Sequence, residues 1–311
     1  MKKILLAISA LSAAMFSTAA NADISVSGSA NAVYVDAEGN AEGHVGGTIS
    51  FSMSTTTDGG VTISTSGQIT NDPDAAGGAG TASGMTALTF AFANGSITVA
   101  DDVAVPAGTG LVGELVGHAD SNQVTHTNDV AITTDDGSGI SASTSIGDMT
   151  LAGTYFYDGG HVQNIDGGTT TGAGASLTIP LGDMSLVVSS SSVDANGTED
   201  SSTGGALTMT AGNGTLSLGI ETTSGDTAAT EGEAYSVAYS TTLGSSSVAV
   251  GYTGFDANSN TSSKTDVTVS QSIGGGASIF AEYSNLSGAG AAASSQTLGE
   301  GVVAVGTSVS F

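Results

Sequence analysis

The chain has 311 residues and is strongly acidic, with 29 Asp and Glu against three Lys and Arg. So few cations leave nothing to neutralise phosphates, which excludes a nucleic-acid partner, and the absence of cysteine excludes a disulfide framework or a thiolate metal site. Only three prolines among abundant Ser, Thr and Gly argue against a Pro-rich disordered stalk, and long polar stretches without helical periodicity point to an all-β chain.

The N-terminus reads as a secretory signal peptide over residues 1–22. Lys2 and Lys3 form a basic n-region, Ile4 to Phe16 an apolar h-region, and Ala20-Asn21-Ala22 an A-x-A cleavage site, so the domain is expected to run over 23–311 from Asp23. The h-region is too short to span a bilayer as a helix, and no later run approaches eighteen apolar residues. Cleavage would remove two of the three basic residues, leaving Lys264 as the single cation.

From there the chain alternates in short segments. Residues 24–36 come first, then 44–56, with Val45, Ile49, Phe51 and Met53 on one face. Asp58-Gly59-Gly60 is a tight turn into 61–70. A Gly/Ala-rich loop precedes 84–93, and Asn94-Gly95 is a hairpin signal leading into 96–100. Residues 101–138 break the rhythm. It resumes at 140–146, turns at Gly147-Asp148, and continues through 149–158, 171–180, 184–194, 203–210, 214–223, 232–242, 245–256, 263–273, 276–286 and 300–311, with Gly274 to Gly276 read as a turn.

These make about sixteen segments. Very short turns (94–95, 147–148, 182–183, 212–213, 244–245) alternate with longer polar loops (71–83, 159–170, 195–202, 224–231, 287–299). That is the layout of a transmembrane antiparallel up-and-down β-barrel. Sixteen strands of roughly 9–11 residues need on the order of 150–175 residues, which the chain can supply. The apolar faces carry no charge near their centres. Tyr235, Val237 and Tyr239 share one face, and with Tyr34, Tyr155, Tyr157, Tyr252 and Tyr283 they predict aromatic girdles at the interfaces.

The last segment alternates Val303, Val305, Thr307 and Val309 with Ala304, Gly306, Ser308 and Ser310, and ends on Phe311. It resembles the terminal strand of bacterial outer-membrane barrels, whose final aromatic belongs to the assembly signal. The Phe311 carboxylate is expected to meet the Asp23 amine where first and last strands join.

Residues 49–70 (ISFSMSTTTDGGVTISTSGQIT) resemble the second and third strands of the general porins of alphaproteobacteria. NGSITVADD (94–102) is similar to the strand entering that family's third loop, LVGELVGHAD (111–120) to the loop's acid-bearing helical part, and NDVAITTDD (128–136) to its return. IGGGASIFAEYSNL (273–286) and VGTSVSF (305–311) resemble the last two strands. The resemblance implies a sixteen-stranded barrel, usually a trimer, with a long third loop folded into the lumen as a constriction. It implies outer-membrane lipid and the barrel-assembly machinery as partners, and passage of small hydrophilic solutes and cations. Asp101, Asp102, Glu114, Asp120 and Asp129 are the candidate constriction residues, Glu114 and Asp120 foremost.

Many relatives set basic side chains on the wall opposite the acidic loop. Here there is no Arg, and Lys264 is read as opening the fourteenth segment near a loop, so that transverse field cannot be built in the usual way. A lumen of one sign repels anions, and cation selectivity is expected.

Other chemistry finds little support. His44, His118, His126 and His161 fit no ligand spacing. No cofactor is expected, although calcium on clustered loop carboxylates is conceivable. No G-x-S-x-G or H-E-x-x-H motif occurs, and an enzyme is not expected. The alternative is a secreted acidic β-rich surface protein, an adhesin or surface-layer component. It would have a similar composition, but its solenoid repeat is not found.

Overall fold

The computed structural model describes residues 22–37, 40–71, 81–83, 87–100, 138–158, 170–195, 197–225, 231–257, 260–288 and 301–311. No described helix is long and apolar enough to cross a membrane.

The first eight strands are β1 (Ala22–Ala37), β2 (Asn40–Thr56), β3 (Thr62–Asn71), β4 (Thr81–Ser83), β5 (Ala87–Phe92), β6 (Gly95–Ala100), β7 (Ser138–Ile146) and β8 (Met149–Asp158). The rest are β9 (Thr170–Leu181), β10 (Met184–Ala195), β11 (Thr198–Ala211), β12 (Gly214–Gly225), β13 (Gly232–Leu243), β14 (Ser246–Ala257), β15 (Asn260–Gly274), β16 (Ala277–Gly288) and β17 (Gly301–Ser310). Both β4 and β5 pair with β3, at opposite ends of it, so they are two pieces of one barrel strand. Every neighbouring pair is antiparallel, and β1 pairs with β17 as well as β2, which closes a sixteen-stranded barrel. Closure removes the unpaired edges that an open sheet would present to lipid.

Period-two patterning sets what each face shows. Val26, Ile49, Val188, Leu218, Val237, Val250, Val267, Val303 and Val305 point outward and are exposed, an apolar belt of the kind hydrocarbon covers. Tyr155, Tyr252 and Tyr283 are outward too, each six residues from the turn-side start of its strand at Met149, Ser246 and Ala277. They form one level with Tyr235, whose ring centroid lies 6.0 Å from that of Tyr252. Tyr239 sits nearer the turn rim, and its hydroxyl donates to the Ala211 carbonyl at 3.1 Å. These tyrosines share the outer face expected of them, and the side chain of Tyr157 lies outside the described residues.

The turn rim follows the sequence with one change. Thr57 organises the first turn: its Oγ1 accepts from the Val61 amide at 3.1 Å, and its carbonyl accepts from Gly60. The hairpin expected at Asn94-Gly95 instead turns through Ala93-Asn94, with Gly95 already paired to Phe92. Gly95 does not supply positive φ. Its missing Cβ lets the Ser143 carbonyl of β7 approach, so the glycine answers a packing need.

At the other rim, the loop expected at 195–202 is a tight hairpin. β10 runs to Ala195, β11 starts at Thr198, and the Asp194 carboxylate caps the turn by accepting from the Gly197 amide at 2.7 Å. An Asp side chain there does what a longer backbone loop would otherwise have to do.

The terminal contact also differs from expectation. Phe311 lies opposite Gly28, with mutual backbone hydrogen bonds of 2.8 and 3.0 Å, while Asp23 pairs with Ser54 of β2. Five residues at about 3.3 Å each separate Gly28 from Asp23 along β1, so no terminal ion pair forms. Strands tilt and stagger where a barrel closes, and the last residue therefore meets the interior of the first strand.

Candidate functional site

Side chains between the outward positions line the lumen, and this wall is divided by chemistry. Across β1–β7 it is a field of hydroxyls paired from strand to strand: Ser25 with Ser52 (2.7 Å), Thr48 with Thr70 (3.3 Å), Thr89 with Thr98 (2.9 Å) and Ser96 with Ser143 (3.0 Å). Each hydroxyl both donates and accepts, and Asp23 adds a carboxylate on the same face of β1 as Ser25.

Charge gathers on β12, β15 and β16. Lys264 and Asp266 stand two apart on the inner face of β15, with Nζ 3.3 Å from Oδ1 and each residue only 2% exposed. The Ser284 hydroxyl on β16, directly opposite Asp266, donates to its Oδ1 at 2.5 Å and also lies 3.3 Å from Glu282 Oε1. Its single proton favours the shorter contact. Glu282 is buried opposite Thr268. Glu221 on β12 accepts from Ser202 of β11 at 2.6 Å, both buried. Beside Asp266 the neighbouring wall positions are the small Gly251 and Ala238, while the buried Phe255 stands two residues from Thr253, the cross-strand partner of Lys264.

Lys264 is therefore not a loop-proximal cation. It is the fifth residue of β15, buried and paired, because β15 begins three residues earlier than its alternation suggested.

A second feature is apolar. Phe156 points inward from β8 and is completely buried, packed with Ala100 and Val193 and with Ala87 beside them. Its ring occupies space left by Gly172 on β9, and its Cα and Cβ lie against Gly139 on β7. Ala100 is the last residue of β6, so this cluster ties the end of that strand to β8 and β10.

The candidate constriction residues Asp101, Asp102, Glu114, Asp120 and Asp129 lie outside the described residues, as do His118, His126 and His161 and the side chain of His44. Among the described residues no group of three His, Cys, Asp or Glu is arranged to hold a metal. At the ends of β12–β14, Glu231, Glu233 and Asp256 line a cavity of about 340 Å³ with Thr222 and Thr223.

The sequence reading missed the Lys264, Asp266, Glu282 and Ser284 cluster. One signal was available, since Lys264 and Asp266 share a face in any alternating strand. The link to Glu282 was hidden by a β-bulge. Pairing runs Gly274 with Ala277 but Ser272 with Ser278, so Ile273 is an extra residue. A regular two-residue hairpin would have set Asp266 opposite Asn285 and turned Glu282 to the other face.

A family model described as Gram-negative porin matches residues 7–291. A porin structure refined at 1.8 Å is similar over 93% of this chain and all of its own, at 16% identity and a TM-score of 0.69. Engineered variants of the Rh. blastica porin are similar over the same share, one at 16% identity and a TM-score of 0.64. A loop-deletion mutant of OmpT, an outer membrane protein of Vibrio cholerae, is similar at 11% identity and 0.67, covering 93% of this chain and 99% of that one. A search of curated protein sequences gave no match.

Proposed function

The chain belongs to the family of Gram-negative porins, and from that premise we propose that this outer-membrane channel is passive and cation-selective and carries small hydrophilic solutes. Sequence and family resemblance further support export by the 1–22 leader, insertion by the barrel-assembly machinery and assembly as a homotrimer. In this reading residues 101–137 fold inward, and Asp101, Asp102, Glu114, Asp120 and Asp129 supply the acidic constriction. Calcium bridging among those carboxylates is compatible with their oxygen-donor chemistry. The family comprises channel proteins, and nothing in the described lumen builds a nucleophile–base pair.

The observation that carries selectivity is the distribution of charge. Outside the leader the chain has one Lys and no Arg, and that Lys is bound to a carboxylate on the lumen wall. The opposite hydroxyl-lined half offers anions no attraction. At ~0.15 M salt the Debye length is about 8 Å, comparable to the half-width of such a pore, so discrimination should weaken as salt rises. The closed barrel and the family match leave the secreted surface-protein alternative without support. Reversal potentials in planar bilayers across a KCl gradient test the proposal; a clear anion preference overturns it, and stepwise triplet openings support the trimer.

A further inference from the structure

We propose that Asp266 is a specificity-determining residue: by pairing with Lys264 it cancels the only Lys or Arg charge outside the leader, so permeating ions sense only the net negative charge of the wall. The inference rests on the channel reading above and concerns how this chain's own wall sets its selectivity.

Four observations converge on it. Lys264 and Asp266 are consecutive inner-face residues of β15, 3.3 Å apart and both buried, so the positive charge is matched by a carboxylate within the wall. Ser284 holds the carboxylate from the next strand at 2.5 Å, which fixes its oxygen toward the lysine. Small residues, Gly251 and Ala238, occupy the wall positions beside Asp266 on the next two strands. Around the pair, the buried hydroxyls of Ser236, Ser262 and Thr268 have no hydrogen-bond partner among the described residues. Ser262 and Thr268 are on the same face of β15, and Ser236 is in the same cross-strand row as Lys264 through Thr253. Those oxygens can solvate a cation or water beside the carboxylates.

The cluster on β15 and β16 thus sums to one cation and two carboxylates, and Glu221 adds a third on β12. A neutral residue in place of Asp266 removes one negative charge from this sum and leaves one cation against one carboxylate on β15 and β16. A unit charge about 8 Å from the ion path in water, screened over one Debye length, changes the occupancy of cation and anion by about 1.4-fold in opposite senses, and so their ratio about twofold.

Three variants, Asp266→Asn, Lys264→Met and the double variant, separate this idea from a structural role. Reversal potentials across a KCl gradient give the K⁺/Cl⁻ permeability ratio, and heat-modifiable gel migration confirms folding. Asp266→Asn is expected to lower the ratio about twofold, Lys264→Met to raise it about twofold, and the double variant to restore the wild-type value. Should Asp266→Asn fail to assemble, the sign of the Lys264→Met change decides. Folded single variants that both retain the wild-type potential, or that shift it in the same direction, overturn the proposal. A wild-type channel without cation preference overturns the selectivity reading instead, while the order of the three variants still tests the pair.

Discussion

The ring of Phe311 occupies the space that Gly28 leaves by having no side chain: a Cβ on Gly28 would stand 2.6 Å from Phe311 Cε2. The same two residues exchange backbone hydrogen bonds across the β1–β17 seam. The last residue of the chain therefore completes the closure of the barrel, and its ring is seated against the first strand with the outer face open to lipid.

Deleting Phe311 removes both hydrogen bonds, each worth about 0.5–1.5 kcal/mol, together with the seated ring. The expected result is a marked fall in folded, heat-modifiable protein in the outer membrane, with leader removal unaffected. Gly28→Val should cause a milder loss of the same kind, because the ring can swing away from the new side chain. Normal folded yield in the deletion variant would refute the role of the seam.

Phe156 fastens the end of β6 to the inner wall through Ala100 and Val193. Phe156→Ala empties a fully buried site and is expected to cost about 3–5 kcal/mol. Urea or thermal unfolding of the purified channel should show this as an earlier transition. A noisier open state in single-channel records is expected as well, because Ala100 directly precedes the 101–137 segment. An unchanged transition would mean that the site collapses around the deletion.

Glu114→Gln combined with Asp120→Asn tests the constriction. If both carboxylates lie within about 8 Å of the ion path, each contributes roughly twofold to cation preference at moderate salt. The reversal potential should move toward zero, and the shift should shrink as salt is raised. Unaltered selectivity with altered conductance would place these acids away from the narrowest section.

The bulge gives a less intuitive prediction. Removing Ile273 turns the β15–β16 connection into a regular two-residue hairpin while leaving Ser272 opposite Ser278 and Asp266 opposite Ser284. Deletion of Ile273 should therefore assemble and keep the wild-type reversal potential. Gly275→Val, at a φ of +63°, should instead cost about 1–2 kcal/mol and lower the folded yield. A changed selectivity in the Ile273 deletion would show that the bulge has more than a local role.

Alternation and turn chemistry by themselves determined that this chain is a barrel of about sixteen strands. Val303, Val305 and Val309 had to face one side and Ala304 the other, because side-chain direction along a strand is set by the backbone's own period of two. The outward tyrosines follow from the same rule, as does the turn at Gly274 to Gly276. What opposes what was decided only by the tertiary structure. Phe311 meets Gly28 and not Asp23 because closure staggers the strands, and Asp194 caps a tight hairpin where the polar run suggested a loop. Asp266 and Glu282 share the lumen face because a single bulged residue shifts the pairing of two strands. Register is a sum over hydrogen bonds between segments distant in sequence, and one extra residue reverses every side chain beyond it. Lys264 was visible from the start as the lone Lys or Arg beyond residue 3; that a neighbouring carboxylate pairs with it inside the wall became apparent only once β15 was placed against β14 and β16.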